Sequence, residues 1–260
     1  MSGSLRYECA DGIGTITIDR PEKKGAMGFA MLAEFIELVA RAGADDACRV
    51  LILTGTPGCF CAGTDLVDLA TIPGSERGLR GEASEGGRWW PLVACPKPVI
   101  GAIDGPAVGM GAEFASQCDI RVASKRARFA WNFAHRGLVP DTGAGTWLLP
   151  RLVGTGTALR WLYSGKFVSA EQAYESGFVD VLVEPEELEA TVQAEAESFL
   201  TSSPLSLRRM KELLYEGLSS GVGEHMARHV VALKDCFRSD DHREGVVSFL
   251  ERRPASFTGR

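Results

Sequence analysis

The stretch PVIGAIDGPAVGMGAEFASQCD, residues 98–119, changes character twice along its length. Val99, Ile100 and Ile103 form an apolar run that stops at Asp104-Gly105-Pro106, the pattern of a buried strand ending in a turn. A helix is expected next. Gly109 and Gly111 carry no side chain, so a ligand can approach the backbone there, and the first amides of the new helix have no partner inside it. Such donors, helped by the helix dipole, suit an oxygen that acquires negative charge. Glu113 falls in the first turn beside Met110, Ala112 and Phe114, where desolvation would raise its proton affinity and favour acid/base work. The same residues also fit a plain glycine-rich strand-to-helix turn whose Glu113 complements the dipole. The glycines match neither the dinucleotide pattern GxGxxG nor the phosphate loop GxxxxGK[ST].

Working outward, the chain has 260 residues, 45% of them hydrophobic, enough for one large globular domain or a domain with an appendage. A net charge of -6 argues against a general nucleic-acid or anionic-membrane binder. No apolar run approaches the roughly 20 residues of a membrane helix, and MSGSLRYECADG lacks an apolar signal core, so a cytoplasmic location is expected. Seven scattered cysteines read as reduced thiols, and Cys59-Phe60-Cys61 lacks a second pair at zinc spacing. His225 and His229 lie four apart without the acid of an HExxH motif, so solvated helix residues are expected.

Residues 5–9 and 13–19 read as a strand pair around Ala10-Asp11-Gly12. Leu32, Phe35, Ile36 and Val39 fall at i, i+3, i+4 and i+7, giving an amphipathic helix over residues 28–41. RVLILT, residues 49–54, suits a parallel strand buried on both faces, and GTPGCFCAG, residues 55–63, is a loop at its carboxyl end, where open α/β folds keep their sites. Residues 67–90 are broken by glycines and Pro73, and are expected to form either a lid or a surface insertion. Strands are expected at 119–123, 129–132 and 178–183, a loop leading into a helix at 137–150, and a capping-box helix at Ser169-Ala-Glu-Gln172 closed by Gly177. A helical tail follows from about residue 200.

In this order the motifs resemble the crotonase (enoyl-CoA hydratase/isomerase) superfamily over nearly the whole chain. ITIDRP (16–21) with Ala26-Met27 resembles its opening strand and coenzyme A loop. VLILTG (50–55) followed by FCAGTDL (60–66) resembles the first half of its oxyanion-hole signature. KPVIGAIDG (97–105) through GMGAE (109–113) and CDI (118–120) resembles the second half, and SGK (164–166) with residues 170–180 resembles a later segment. GLVPDTGAGTWLLPRLVG (137–154) is closest to the phenylacetate-pathway isomerase type.

The resemblance implies an α/β fold, a spiral of ββα units over residues 1–200, with a C-terminal helical region, 201–260, that mediates trimers or hexamers. It implies an acyl-CoA thioester as ligand and no separate cofactor or metal. Thr64 and Met110 would supply the two backbone donors to the thioester oxygen, each worth about 3 kcal/mol in related chemistry. Lys24, Ala62, Asp65, Leu66 and Gly109 match positions around the coenzyme A groove, and Phe249 and Arg252 resemble a pair reaching the coenzyme's phosphates from the tail. Glu113 matches the first of the two glutamates that hold water in the hydratases, whereas the second falls on Phe133. Asp141 matches the acid used by double-bond isomerases. Isomerisation by Glu113 or Asp141 is therefore expected, with hydration by the two acids or non-catalytic acyl-CoA binding as alternatives. Trp89, Trp90, Trp131 and Phe133 would form an apolar acyl pocket if they converge.

Overall fold

The computed structural model describes residues 4–71 and 90–260. Among them nine strands form two sheets: β1 (Ser4–Ala10), β2 (Ile13–Asp19), β3 (Val50–Gly55), β4 (Val99–Ile103), β5 (Pro106–Val108), β6 (Ile120–Ser124), β7 (Arg128–Ala130), β8 (Val168–Ser169) and β9 (Val181–Val183). The larger sheet has the order β1-β2-β3-β4-β6-β9, antiparallel only at β1-β2, and the smaller has the order β5-β7-β8. The β1-β2 hairpin turns through Asp11 and Gly12, both at positive φ (50° and 84°), the conformation that gives a tight turn the twist of its strands.

The helices follow in chain order: α1 (Phe29–Ala44), α2 (Leu66–Thr71), α3 (Pro91–Ala94), α4 (Met110–Gln117), α5 (Ala144–Trp147), α6 (Leu149–Val153), α7 (Thr155–Ser164), α8 (Ala170–Glu175), α9 (Leu188–Leu200), α10 (Pro204–Gly217), α11 (Val222–Arg238) and α12 (Asp240–Glu251). Side chains alternate across the larger sheet. Ile16, Ile18, Leu51, Leu53, Val99 and Ile103 face one core with α1, α3 and α4, while Ile13, Val50, Ile52, Ile100 and Val122 face a second core closed by Leu188, Val192 and Ala196 of α9. Phe35 and Val39 are fully buried on α1, and Leu32 and Ile36 pack beside them half-buried.

Helix α4 is buried on every side, so it lacks the polar face of a surface helix. It runs from the end of β5 into the middle of the molecule, which carries its N-terminus to the interior.

Three expectations need correction. Residues 66–71 form α2 rather than irregular chain, because the Asp65 carboxylate accepts from the Val67 amide and starts the helix. The rest of the expected lid, including Trp89, lies outside the described residues. Residues 137–150 contain α5, and the separate helix α6 begins at Leu149 with Pro150 in its first turn. The last strand begins at Val181, because the Phe178 and Val179 amides both donate to Ala173 O and close α8 after Gly177.

The final helices are fixed to the core through one buried cation. Lys211 of α10 donates to Leu92 O (2.9 Å), Lys97 O (3.0 Å) and the Asp119 carboxylate (2.7 Å), which also accepts from the Val99 amide and the Tyr215 hydroxyl. Asp119 thus ties β4 to α10, and Lys211 ties α10 to α3. Beyond it, α12 packs chiefly on α11 and leaves Phe249 82% and Leu250 74% exposed. Asp119→Ala should lower the unfolding free energy by about 3 kcal/mol, because Lys211 would remain buried without its carboxylate. A loss below about 1 kcal/mol in urea denaturation would contradict this assignment.

Candidate active site

Two backbone segments meet at the start of α4. Cys61 bridges Ala107, with the Cys61 amide donating to Pro106 O (3.0 Å) and the Val108 amide to Cys61 O (2.9 Å). On the other side Met27 bridges Thr64: its amide donates to Gly63 O (2.8 Å) and its carbonyl accepts from the Asp65 amide (2.8 Å). In a parallel bridge this pairing uses the residues flanking Thr64, so the Thr64 amide itself points away from Met27.

The close approach depends on glycine. A Cβ on Gly111 would lie 2.1 Å from Cys61 O, and one on Gly63, at φ 95°, would lie 2.7 Å from Val108 O and 3.5 Å from the Met110 amide nitrogen. Thr64 Oγ1 and Met110 Sδ consequently come within 3.9 Å. Gly109, at φ 54°, turns the chain from β5 into α4 and leaves the Met110 amide as the helix's first. Neither the Thr64 nor the Met110 amide finds an acceptor among the described residues. Two neighbouring, unpaired amides at a helix N-terminus are suited to a carbonyl oxygen that becomes anionic.

Glu113 lies one turn into α4 and is fully buried. Its Oε2 accepts from the Thr142 hydroxyl (2.7 Å), and the Trp90 indole donates to Thr142 O (2.8 Å), holding that threonine in place. Oε1 is buried without a hydrogen-bond partner among the described residues. It packs against Gly145, where a Cβ would stand 2.4 Å away. Desolvation pushes the Glu113 carboxyl up to about 7, the nearby Asp141 charge adding to the rise while the Thr142 hydroxyl and the amides of Gly145 and Ala144 oppose it. Burial outweighs these donors, and the group is set to exchange a proton near neutrality.

Asp141 is exposed on the loop before α5 and lies within electrostatic reach of both Glu113 and Cys61. Phe133 is buried, 3.9 Å from the position a Gly109 Cβ would take, so an aromatic ring occupies the neighbourhood of the Met110 turn.

The remaining candidates are distributed unevenly. Lys24 O accepts from the Ala62 amide (2.9 Å), bringing the first loop against residues 60–65. Asp65 is turned inward, with Arg20 at 3.1 Å; the Val67 amide, followed by the Lys23 and Arg20 cations, holds its carboxyl below the usual range. Its carboxylate is engaged in structure, and the apolar Leu66 (60%) and Val67 (65%) beside it are exposed. Phe249 and Arg252 stay exposed on the outer end of α12, and nothing in the single chain brings them to Glu113.

Among the described residues the expected aromatic pocket does not assemble, Trp89 lying outside them. Trp131 is turned into the core, stacked on Trp161 (5.6 Å, 16°) with its edge toward Phe178, while Trp90 stays half-buried at the surface. Thr142 and Gly145, which shape the Glu113 site, were visible in sequence only as parts of GLVPDTGAGTWLLPRLVG.

Residues 8–260 match the profile of the family described as enoyl-CoA hydratase/isomerase. The 1,2-epoxyphenylacetyl-CoA isomerase of Escherichia coli is 36% identical over 252 residues, covering 96% of this chain and 96% of that protein. A probable enoyl-CoA hydratase of Rhodobacter capsulatus is 34% identical over 261 residues, covering 99% and 98%. Among solved structures, an enoyl-CoA hydratase from Bacillus anthracis superposes with a TM-score of 0.91 at 28% identity, over 98% of this chain and 99% of that one.

The raised Glu113 carboxyl has a consequence for stability. Between its ordinary 4.5 and about 7 the folded chain keeps a proton that the unfolded chain releases, so this group's contribution is full at low pH and is lost as pH rises through that window. Glu113→Gln removes the effect. Its stability relative to the native chain should therefore rise by about 3 kcal/mol between about pH 4 and about pH 8 in denaturation measurements, whereas a gap independent of pH would contradict the shift.

Proposed function

The chain belongs to the enoyl-CoA hydratase/isomerase family, and from that premise we propose that it moves the double bond of an enoyl-CoA thioester by carboxylate proton transfer through an enolate. Its relatives carry both names, so the preference rests on the site. Hydration in the resembling enzymes uses two glutamates on one water, and Phe133 stands where the second would fall. A phenyl ring accepts no proton. Glu113, with one oxygen held by Thr142 and the other without a partner among the described residues, has an affinity near neutrality that suits it both to take a proton and to return it.

In this scheme Glu113 or Asp141 removes a proton from the carbon beside the thioester. The C–H electrons form a new double bond and the carbonyl pair moves onto oxygen, which the Thr64 and Met110 amides hold. When the carbonyl re-forms, the far carbon of the conjugated system takes a proton back from the carboxylic acid, so atoms and charge balance without a further cofactor. Thr64, Met110 and Gly109 frame the oxygen, and Ala62 and Leu66 with the Lys24 loop line the coenzyme's path. A second scheme, hydration of a 2-enoyl-CoA by water held between Glu113 and Asp141, is favoured by the interaction between those two acids.

The same proposal assigns the exposed apolar side chains of residues 201–260, Phe249 among them, to a homotrimer or a pair of trimers in the cytoplasm, with Arg252 meeting the coenzyme of a neighbouring subunit. No helix among the described residues is long and apolar enough to cross a membrane. Sedimentation should give the mass of three or six chains, and a stable monomer would contradict it.

Incubation with a 3-enoyl-CoA should build up the absorbance of the conjugated 2-enoyl thioester. Glu113→Gln should lower kcat at least about 100-fold while keeping thioester affinity, and Asp141→Asn should lower it less. Loss of crotonyl-CoA absorbance at a rate matching or exceeding isomerisation would overturn the preference in favour of hydration.

A further inference from the structure

A cavity of about 640 Å³ lies between α3 and α10, walled by Trp90, Val93, Ala94 and Pro96 on one side and by Arg208 and its neighbours on the other. Thr142 lines it too, and the Thr142 hydroxyl is the group that holds Glu113. The cavity therefore begins beside the candidate acid. None of residues 24 and 62–66, which the proposed function assigns to the coenzyme, contributes to its wall. A thioester whose oxygen sits on the Thr64 and Met110 amides and whose coenzyme runs past residues 62–66 has this space available for the other end of its acyl group.

The wall holds two cations, Arg208 and Lys211, and two carboxylates, Glu212 and Glu216, and three of the four are paired. Lys211 is paired with Asp119 (2.7 Å), Glu212 with Arg209 (2.9 Å) and Glu216 with Arg228 (3.1 Å). Arg208 has no carboxylate partner among the described residues, and its Nε is buried with no hydrogen-bond partner among them. The side chain is half-buried, and its terminal nitrogens, which no carboxylate among the described residues claims, present a fork of donors that fits a carboxylate.

We propose that this cavity receives the far end of the acyl group and that Arg208 hydrogen-bonds an oxygen carried there, so that the substrates are acyl-CoA thioesters with a polar, acceptor-bearing terminus. The proposal rests on the acyl-CoA assignment above and adds the identity of the acyl end. Arg208 is then a specificity residue that takes no part in proton transfer. A plain alkyl chain would fill the apolar wall alone; a chain ending in a carboxylate would fill it and also meet the terminal guanidinium nitrogens of Arg208.

Binding measured by calorimetry separates these cases without requiring turnover. The native chain should bind octanedioyl-CoA about tenfold more tightly than octanoyl-CoA, the scale of one charge-assisted hydrogen bond. Arg208→Met should abolish that ratio by weakening octanedioyl-CoA alone, its unchanged octanoyl-CoA affinity showing that the fold is intact, and Arg208→Lys should restore part of it. Val93→Trp, which fills the cavity, should weaken both eight-carbon thioesters and spare crotonyl-CoA. Equal affinity of the native chain for the two thioesters, or equal weakening of both by Arg208→Met, would overturn the role of Arg208 while leaving the acyl-CoA assignment standing. Unchanged eight-carbon affinity in Val93→Trp would overturn the placement in the cavity. Failure of the native chain to bind any of the thioesters would overturn the acyl-CoA assignment and this one with it.

Discussion

The structure depends on the close contact of two backbones, residues 59–65 against residues 105–111, made where side chains would not fit. Gly111 against Cys61 O and Gly63 against Val108 O leave no room for a Cβ. The Cys61-Ala107 and Met27-Thr64 bridges clamp the segments on either side. From this one contact follow the unpaired Thr64 and Met110 amides, the start of α4 and the position of Glu113 one turn later. Alanine at residue 111 would separate the segments and disturb all three together.

The second determinant is burial. Helix α4 enters the interior N-terminus first, so its only acid loses its hydration, and neither the Thr142 hydroxyl nor the surrounding amides recover what desolvation costs. The resulting carboxyl is neither a permanent anion nor a permanent acid near neutral pH. An Oε1 without a hydrogen-bond partner among the described residues, and the exposed Asp141 within electrostatic reach, complete an arrangement of one desolvated and one exposed acid. The side that the proposed function assigns to the coenzyme is built differently: Asp65 is spent on Arg20 and on starting α2, which leaves backbone and the exposed Leu66 there.

Much of this was legible in residue order. The apolar runs at 50–54 and 99–103 became adjacent parallel strands because Val, Ile and Leu without alternation suit a strand covered on both faces. Gly111 marked the close approach, since only a missing Cβ permits it, while Gly109 serves the turn through its positive φ. What was not legible depended on partners distant in sequence. Thr142 holds Glu113 across 29 positions, and no local pattern indicates that its hydroxyl faces inward. Trp131 looked like pocket lining but is claimed by Trp161 and Phe178, a competition among aromatic rings settled only when α7 and the segment after α8 pack. Arg208 reads as an ordinary helix cation until the neighbouring carboxylates are seen to be taken by Arg209 and Arg228.

The central claim is that the Thr64 and Met110 amides converge on a thioester oxygen and polarise it. Isotope-edited infrared difference spectroscopy of a bound acyl-CoA labelled with carbon-13 at its thioester carbonyl measures this directly. The account requires the carbonyl stretch to move to lower frequency on binding, as two hydrogen bonds withdraw density from the double bond. A stretch unchanged from that of the thioester free in an apolar solvent would mean that the amides do not meet that oxygen, and would contradict the account.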